Sequence, residues 1–126
     1  MREHGFTFTL VEIILVSAII WILVIIGISS YRKAVLRTRD KEAQVMLRSI
    51  REAEKMFRLK YGVYAGCGNT SQCNKMLGLD LPTGNFSYWN YSVNTTADSF
   101  CSQAVYNDRS WFINESMENP DLGLCP

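Results

Sequence analysis

The chain has 126 residues, of which 48% are apolar and 20% are charged, and its formal net charge is +1. This length suits one domain rather than two, and this composition excludes a chain that is disordered throughout. The near-balance of 13 basic and 12 acidic residues does not indicate DNA as a partner, and a single histidine leaves little material for catalysis. We therefore expect a protein that is not an enzyme.

The first quarter of the chain holds most of the aliphatic side chains. Residues 6–31 carry one charged side chain, Glu12, and residues 13–28 are apolar on every side of a helix. About 20 apolar helical residues cross the hydrocarbon core of a bilayer. The sequence therefore predicts a transmembrane or helix-bundle segment at 6–31. A removable secretory signal peptide is the less favoured alternative, because the apolar run is longer than such peptides need.

Glu12 is the charge that this segment must accommodate. A carboxylate at the centre of a bilayer costs about 2.5–3.5 kcal/mol on insertion scales, and less near the interface. It needs a cationic partner, and only Arg2, His4 and the amino group of the chain precede it. The alternative is that Glu12 lies solvated at headgroup depth and has no function.

After Tyr31 the pattern changes from uniformly apolar to periodic. Apolar residues recur three, four or seven positions apart, as on one face of an α-helix: Leu36, Ala43, Leu47, Ile50, Ala53, Phe57 and Tyr61. Charged residues occupy the other positions, and Glu54 and Arg58 are expected to pair on the outer face. We predict one helix over residues 8–61, whose amphipathic second half needs a sheet to cover it.

The remaining residues predict a loop and a small sheet. Residues 62–85 are rich in Gly, Asn and Ser, with a short helical turn at 74–79. Three strand-like runs follow at 86–93, 99–106 and 110–114, within a sheet region at 86–115 and before an irregular segment at 116–126. The expected core residues are Trp89 or its neighbours, Phe100 or Cys101, and Trp111 or Phe112. The fold class is α+β, with a long helix packed on an antiparallel sheet.

The string GFTFTLVEIILVSAII resembles the class III signal of type IV pilins and type II secretion pseudopilins. In that signal a short basic leader ends in Gly, and FTLVE and an apolar helix follow; here FTLVE is residues 8–12. The resemblance covers residues 1–64 well and the rest in outline. It implies a pilin-like fold with a leader at 1–5 (1–7 in the alternative), a transmembrane or filament-core helix at 6–31 and a head at 32–126, in which the helix continues to residue 61.

The resemblance also implies how the protein is processed and assembled. A prepilin peptidase would cleave after Gly5 and methylate the amine of Phe6; the alternative is cleavage after Thr7 and methylation of Phe8. An assembly platform and ATPase at the inner membrane would then draw copies of the chain, or other pilins, into a helical filament. Glu12 would meet the amine of a neighbouring subunit there. Cleavage after Gly5 makes Glu12 the seventh mature residue, whereas cleavage after Thr7 makes it the fifth, as in the family.

Two departures from the family concern the helix itself. Many pilins have Gly where Trp21 stands and Pro where Ser29 stands, and their helices are thought to melt between those points in filaments. Gly27, Ser29 and Ser30 are the only weak positions here, so we expect less melting.

A further observation concerns orientation. A run of basic residues follows the span and, by the positive-inside rule, would put the head in the cytoplasm: Arg32, Lys33, Arg37, Arg39 and Lys41. The cysteines and the motif favour the opposite orientation.

Four cysteines allow three disulfide pairings, and the spacing alone does not choose among them. The resemblance implies Cys101–Cys125, which closes a C-terminal loop, and leaves Cys67–Cys73. Disulfides indicate an oxidising compartment. The spacings do not suit a zinc site.

The sequence thus predicts a major or minor pilin, held in the inner membrane by a single span with its head in the periplasm and later part of a surface filament. A type II secretion pseudopilin is the first alternative, and an uncleaved membrane-anchored binding module is the second. No cofactor is expected. Glu115, Glu118 and Asp121 are weak candidates for Ca²⁺ ligands.

Overall fold

The computed structural model describes residues 7–126. The elements in chain order are α1 (Leu10–Tyr61), α2 (Thr70–Leu77), a 3₁₀ turn (Gly84–Phe86), β1 (Asn90–Thr95), β2 (Phe100–Tyr106), β3 (Arg109–Asn114) and β4 (Asp121–Leu122). The chain divides into two compact units, one ending at Thr38 and the other being Arg39–Pro126.

The first unit is the apolar half of α1. Its large apolar side chains from Leu10 to Ile28 remain 44–74% exposed. A helix that is apolar all round and uncovered by its own chain is typical of burial in lipid or among other helices. By length and composition, α1 could cross a membrane.

The second unit, which we call the head, is built on a four-stranded antiparallel sheet in the order β1-β2-β3-β4. β2 and β3 are joined by a two-residue turn at Asn107 and Asp108. Asn107 has a φ of 48°, in the left-handed region that asparagine tolerates better than most residues. This turn fixes the register in which Ala104 lies opposite Trp111.

The core of the head lies between α1 and one face of the sheet. Ala43, Leu47 and Ile50 of α1 are fully buried against inward-facing residues of the strands: Tyr91, Val93, Phe100, Ala104 and Ile113. Burying a large apolar side chain contributes about 1.5–3 kcal/mol. Trp89 adds a fixed contact, because its Nε1 donates to the carbonyl oxygen of Arg39 at 2.8 Å.

Two disulfides close the loops of the head. Cys67 is bonded to Cys73 across the start of α2, and Cys101 of β2 is bonded to Cys125. These are the two pairs that the resemblance implies. The chain-entropy formula gives about 2.4 kcal/mol for the shorter loop and about 3.5 kcal/mol for the longer one.

The predicted fold class is confirmed: a long N-terminal helix, a small antiparallel sheet and a disulfide near the C-terminus. Two predicted boundaries are wrong. β1 begins at Asn90 rather than at 86, because residues 84–86 form the 3₁₀ turn and the N–H of Ser87 donates to Gly84. α2 begins at Thr70 rather than at 74, because the Oδ1 of Asn69 caps it by accepting the N–H of Gln72 at 2.9 Å.

The C-terminal segment and the third strand also differ from expectation. The segment predicted to be irregular contains β4, which pairs with β3 so that Leu122 lies opposite Trp111. In β3 the fully buried residue is Ile113, whereas Trp111 and Phe112 are only half-buried. The indole N–H of Trp111 instead bonds Asp40 at 3.3 Å, which keeps that ring at the margin of the core.

Candidate functional site

The residues that carry the motif form the start of α1. Thr7, Phe8 and Thr9 precede the helix without regular structure. The side chain of Thr9 accepts the N–H of Glu12 at 3.3 Å, and its carbonyl accepts the N–H of Ile13 at 3.2 Å. Thr-x-x-Glu is the spacing of a capping box, in which the threonine satisfies a free N–H of the first turn. The side chain of Thr9 therefore caps the start of the helix through the backbone N–H of Glu12.

Glu12 lies in this first turn with its side chain exposed. A negative charge there is stabilised by the positive end of the helix dipole. Within residues 7–126 no cation forms an ion pair with Glu12. The next basic residue along α1 is Arg32, 20 residues further, or about 30 Å of helix. Within that part of the chain, the carboxylate is free to meet a group from another molecule.

The favoured cleavage point, between Gly5 and Phe6, lies outside the described residues. The alternative point, between Thr7 and Phe8, precedes the helix by two residues, and Phe8 is 66% exposed. Both cleavages leave Thr9 and Glu12 in the mature chain. The helix cap therefore survives whichever bond is cut.

Two serines inside the apolar half of α1 bond to the helix backbone. Ser17 donates to the carbonyl of Ile13 at 2.6 Å, and Ser29 donates to that of Ile26 at 3.0 Å. Hydroxyls that bond to the preceding turn can enter an apolar environment without an unpaired donor. The helix also runs unbroken through Gly27 and Ser29. Glu12 is therefore the one charged side chain that needs a partner when residues 10–31 are buried in an apolar environment.

The head contains a buried carboxyl group, which contradicts the expectation that Glu54 lies on the outer face. Glu54 is fully buried, and its Oε2 accepts the N–H of Ala65 at 2.8 Å. Its Oε1 has no partner among the described residues. Burial raises the pKa of Glu54 from the usual 4.5 to about 7, although the bond from Ala65 acts in the opposite direction. Glu54 continues the buried run 43, 47, 50, and that spacing could have revealed its position.

The arginines one turn away from Glu54 are engaged elsewhere. Arg58 lies over the ring of Tyr64 at 4.7 Å and reaches Asp98, while Arg51 pairs with Glu52 at 2.8 Å. The predicted pair of Glu54 and Arg58 is therefore wrong. Glu54 instead ties the segment after α1 to the helix through a backbone bond.

The weak candidates for calcium ligands are not brought together. Glu115 accepts the N–H of Phe100 at 3.3 Å, and Asp121 accepts that of Leu122 at 2.8 Å. Within residues 7–126 no group of three or more His, Cys, Asp or Glu side chains could hold a metal ion.

Comparisons of the chain with protein-family models, with curated proteins and with solved structures found no match. Function is therefore inferred from the start of α1 and from the head.

Proposed function

We propose that this protein is the subunit, major or minor, of a type IV pilus-like surface filament assembled from the inner membrane. One observation carries the proposal: α1 is apolar on all sides and uncovered from residue 13 to residue 28, yet its first turn holds the carboxylate of Glu12. A bilayer accommodates the apolar surface, whereas the charge costs free energy wherever it enters the hydrocarbon. A bundle of identical helices accommodates both if a cation from a neighbouring copy reaches Glu12.

The proposed cation is the α-amine that leader removal creates on the next subunit. Such a contact is heterologous, because it joins the N-terminus of one subunit to Glu12 of its neighbour. Repeated heterologous contacts build an open helical filament when their rotation does not close a ring. The two candidate termini, Phe6 and Phe8, differ by two residues, or by about 3 Å and about 200° if that segment is helical. The cleavage point therefore decides how the amine approaches Glu12.

The disulfides support a head exposed to an oxidising compartment. Cys67 and Cys73 are part of the buried core, so their bond belongs to the folded head rather than to its surface. Disulfides persist in the periplasm and at the cell surface. The basic residues after the span oppose this orientation by the positive-inside rule. We give the disulfides more weight, because they are integral to the fold.

Assembly of this kind implies three classes of partner. A prepilin peptidase would remove the leader, an inner-membrane platform with an ATPase would extract the subunit, and copies of the chain or other pilins would pack against α1. A type II secretion pseudopilin would use the same helix start. The bond Cys101–Cys125, which closes the C-terminal segment, favours the pilin.

Replacing Glu12 tests the proposal. Glu12→Gln keeps the shape and removes the charge, which leaves the neighbouring amine unpaired in an apolar bundle. Leaving a buried charge unpaired costs about 3–5 kcal/mol. We expect sheared surface filaments to fall at least about tenfold, with the protein retained in membranes. Filament yield would be measured by shearing cells and blotting both fractions.

The matched control is Glu118→Gln, which removes an exposed carboxylate from the C-terminal segment. It should leave filament yield unchanged. If Glu12→Gln and Glu118→Gln both give normal filaments, the Glu12–amine contact is excluded. If the unchanged chain is found only in membranes, the filament proposal fails in favour of an anchored module.

A further inference from the structure

A second feature of the head lies at the end of the sheet where β1 begins and β2 ends. Five segments meet there around a cavity of about 440 Å³: the start of α2, the 3₁₀ turn, residues 87–89, the first residue of β1 and the end of β2 with its turn. This volume lies within the range of about 300–1,000 Å³ that is typical of small-ligand sites. The cavity lies wholly within the head.

One wall of the cavity is polar but uncharged. It presents side-chain amides and hydroxyls from Asn69, Ser71, Thr83, Ser87, Asn90 and Asn107. Among the described residues, none of those that line the cavity carries a charge. Amides and hydroxyls both donate and accept hydrogen bonds. An ionic ligand finds no counter-charge here, whereas a ligand rich in hydroxyl groups finds partners of both kinds.

The other wall of the cavity is aromatic. The rings of Tyr88 and Tyr106 stack with centroids 3.9 Å apart at an angle of 29°. The guanidinium of Arg39 lies over Tyr88 at 4.8 Å, and Trp89 meets Tyr88 edge-on at 5.2 Å. Tyr88 is thus held from several sides. Tyr106 keeps 39% of its surface exposed and is the ring that a ligand can reach.

The surrounding contacts hold this wall in place. Trp89 is anchored by its bond to the carbonyl of Arg39, and the side chain of Arg39 pairs with Glu42 at 3.3 Å. Arg109, which lies opposite Tyr106 in the sheet, is likewise paired with Asp40. Thr70 accepts the N–H of Tyr91 at 3.0 Å and donates to Asn90 at 3.3 Å, which fixes the amide of Asn90 at the margin of the cavity. Preorganised side chains of this kind lose little conformational entropy when a ligand binds.

From this combination we propose that the cavity binds a neutral saccharide. The apolar C–H face of a pyranose ring would pack on Tyr106, and its hydroxyls would exchange hydrogen bonds with the amides and hydroxyls of the opposite wall. The ligand class follows from the absence of charge in the lining together with the exposed ring. This site does not involve the apolar residues 10–31 of α1 or the proposed contact at Glu12.

The test uses the full chain in a phosphocholine detergent, which has no sugar headgroup. Lactose, maltose and chitobiose serve as neutral probes at millimolar concentration, and binding is measured by saturation-transfer NMR. At least one disaccharide should bind. Tyr106→Ala should weaken it about five- to tenfold, and Tyr106→Phe, which keeps the ring, should retain most of the affinity. Ser71→Trp, on the exposed margin, should block entry.

Tyr61→Ala is the matched control, since Tyr61 is exposed on α1 and does not line this cavity. It should bind as the unchanged chain does. The proposal is overturned if no neutral disaccharide binds, or if binding survives both Tyr106→Ala and Ser71→Trp. It is also overturned if inorganic phosphate or a proline-rich peptide binds the cavity more tightly than every disaccharide.

Discussion

At the scale of single residues, two glutamates of α1 place their carboxyl groups in opposite environments. Glu12 is exposed in a helix turn whose dipole favours its charge, and it gains a partner only from outside the described chain. Glu54 is buried by its own head, and one backbone N–H is its partner there. The first carboxylate suits contact between molecules. The second makes the stability of the head depend on pH.

The pH dependence follows from the raised pKa of Glu54. Between pH 4.5 and about 7 the folded head holds a proton that the unfolded chain releases, so the free energy of unfolding falls as pH rises through this window. Glu54→Gln removes the titration and keeps an acceptor for Ala65. The free energy of unfolding of this variant, minus that of the unchanged chain, should rise by about 1–3 kcal/mol as pH increases from 5 to 8.

Urea unfolding with the disulfides intact, followed by the near-ultraviolet circular dichroism of the head, measures this change. Glu52→Gln is the control, because the Glu52 side chain is 65% exposed and should not alter the pH profile. Parallel stability profiles for Glu54→Gln and the unchanged chain would show that Glu54 stays ionised in the folded head.

At the scale of elements, the C-terminal segment depends on a single covalent bond. β4 has two residues. The N–H of Gly123 donates to the carbonyl of Ser110, the N–H of Cys125 donates to the Oε1 of Gln103, and Arg48 donates to the Oδ1 of Asn119. Replacing Cys101 and Cys125 by Ala should lower the free energy of unfolding by about 3.5 kcal/mol. Amides of residues 121–125 should then exchange much faster, while β1 and β2 keep their protection.

Hydrogen–deuterium exchange resolved by peptide tests this difference. The Cys67→Ala and Cys73→Ala double variant serves as the comparison, because its bond lies at α2 and should leave exchange of the C-terminal segment unchanged. Unaltered protection of residues 121–125 without Cys101 and Cys125 would mean that the short pairing with β3 holds the segment by itself.

The elements also show which parts of the fold follow from local sequence. Periodicity predicted α1 to its last residue, because Ala43, Leu47 and Ile50 repeat at helical spacing and no Pro interrupts them. The starts of α2 and β1 depend on the Asn69 cap and on the turn before Ser87, which are contacts of single side chains and backbone groups. β4 depends on its pairing with β3, and its own two residues are too few to carry an alternating pattern.

The candidate sites also differ in how far the sequence alone predicts them. Glu12 was predictable because a lone charge in an apolar run is visible in the sequence itself. The burial of Glu54 follows from its spacing with Ile50, whereas its spacing of four from Arg58 favours an ion pair on the outer face. The cavity beside Tyr106 joins five segments, and no local pattern predicts such convergence.

At the scale of the whole molecule, the two units have different tasks in the proposed filament. The apolar half of α1 would form contacts within the membrane and then between subunits, and the disulfide-closed head would present its surface, including the cavity, to the outside. The capped start of α1 links cleavage to assembly, since Thr9 and Glu12 remain after either cut. The proposed filament therefore depends on removal of the leader, which creates the amine that contacts Glu12.

The most direct measurement is the intact mass of the protein from sheared cell-surface material and from membranes, before and after reduction. We predict that the surface protein lacks residues 1–5, carries one added methyl group and gains four protons on reduction of its two disulfides. Loss of residues 1–7 would move the cleavage point to Thr7 and keep the filament. A full-length chain confined to membranes would contradict the account.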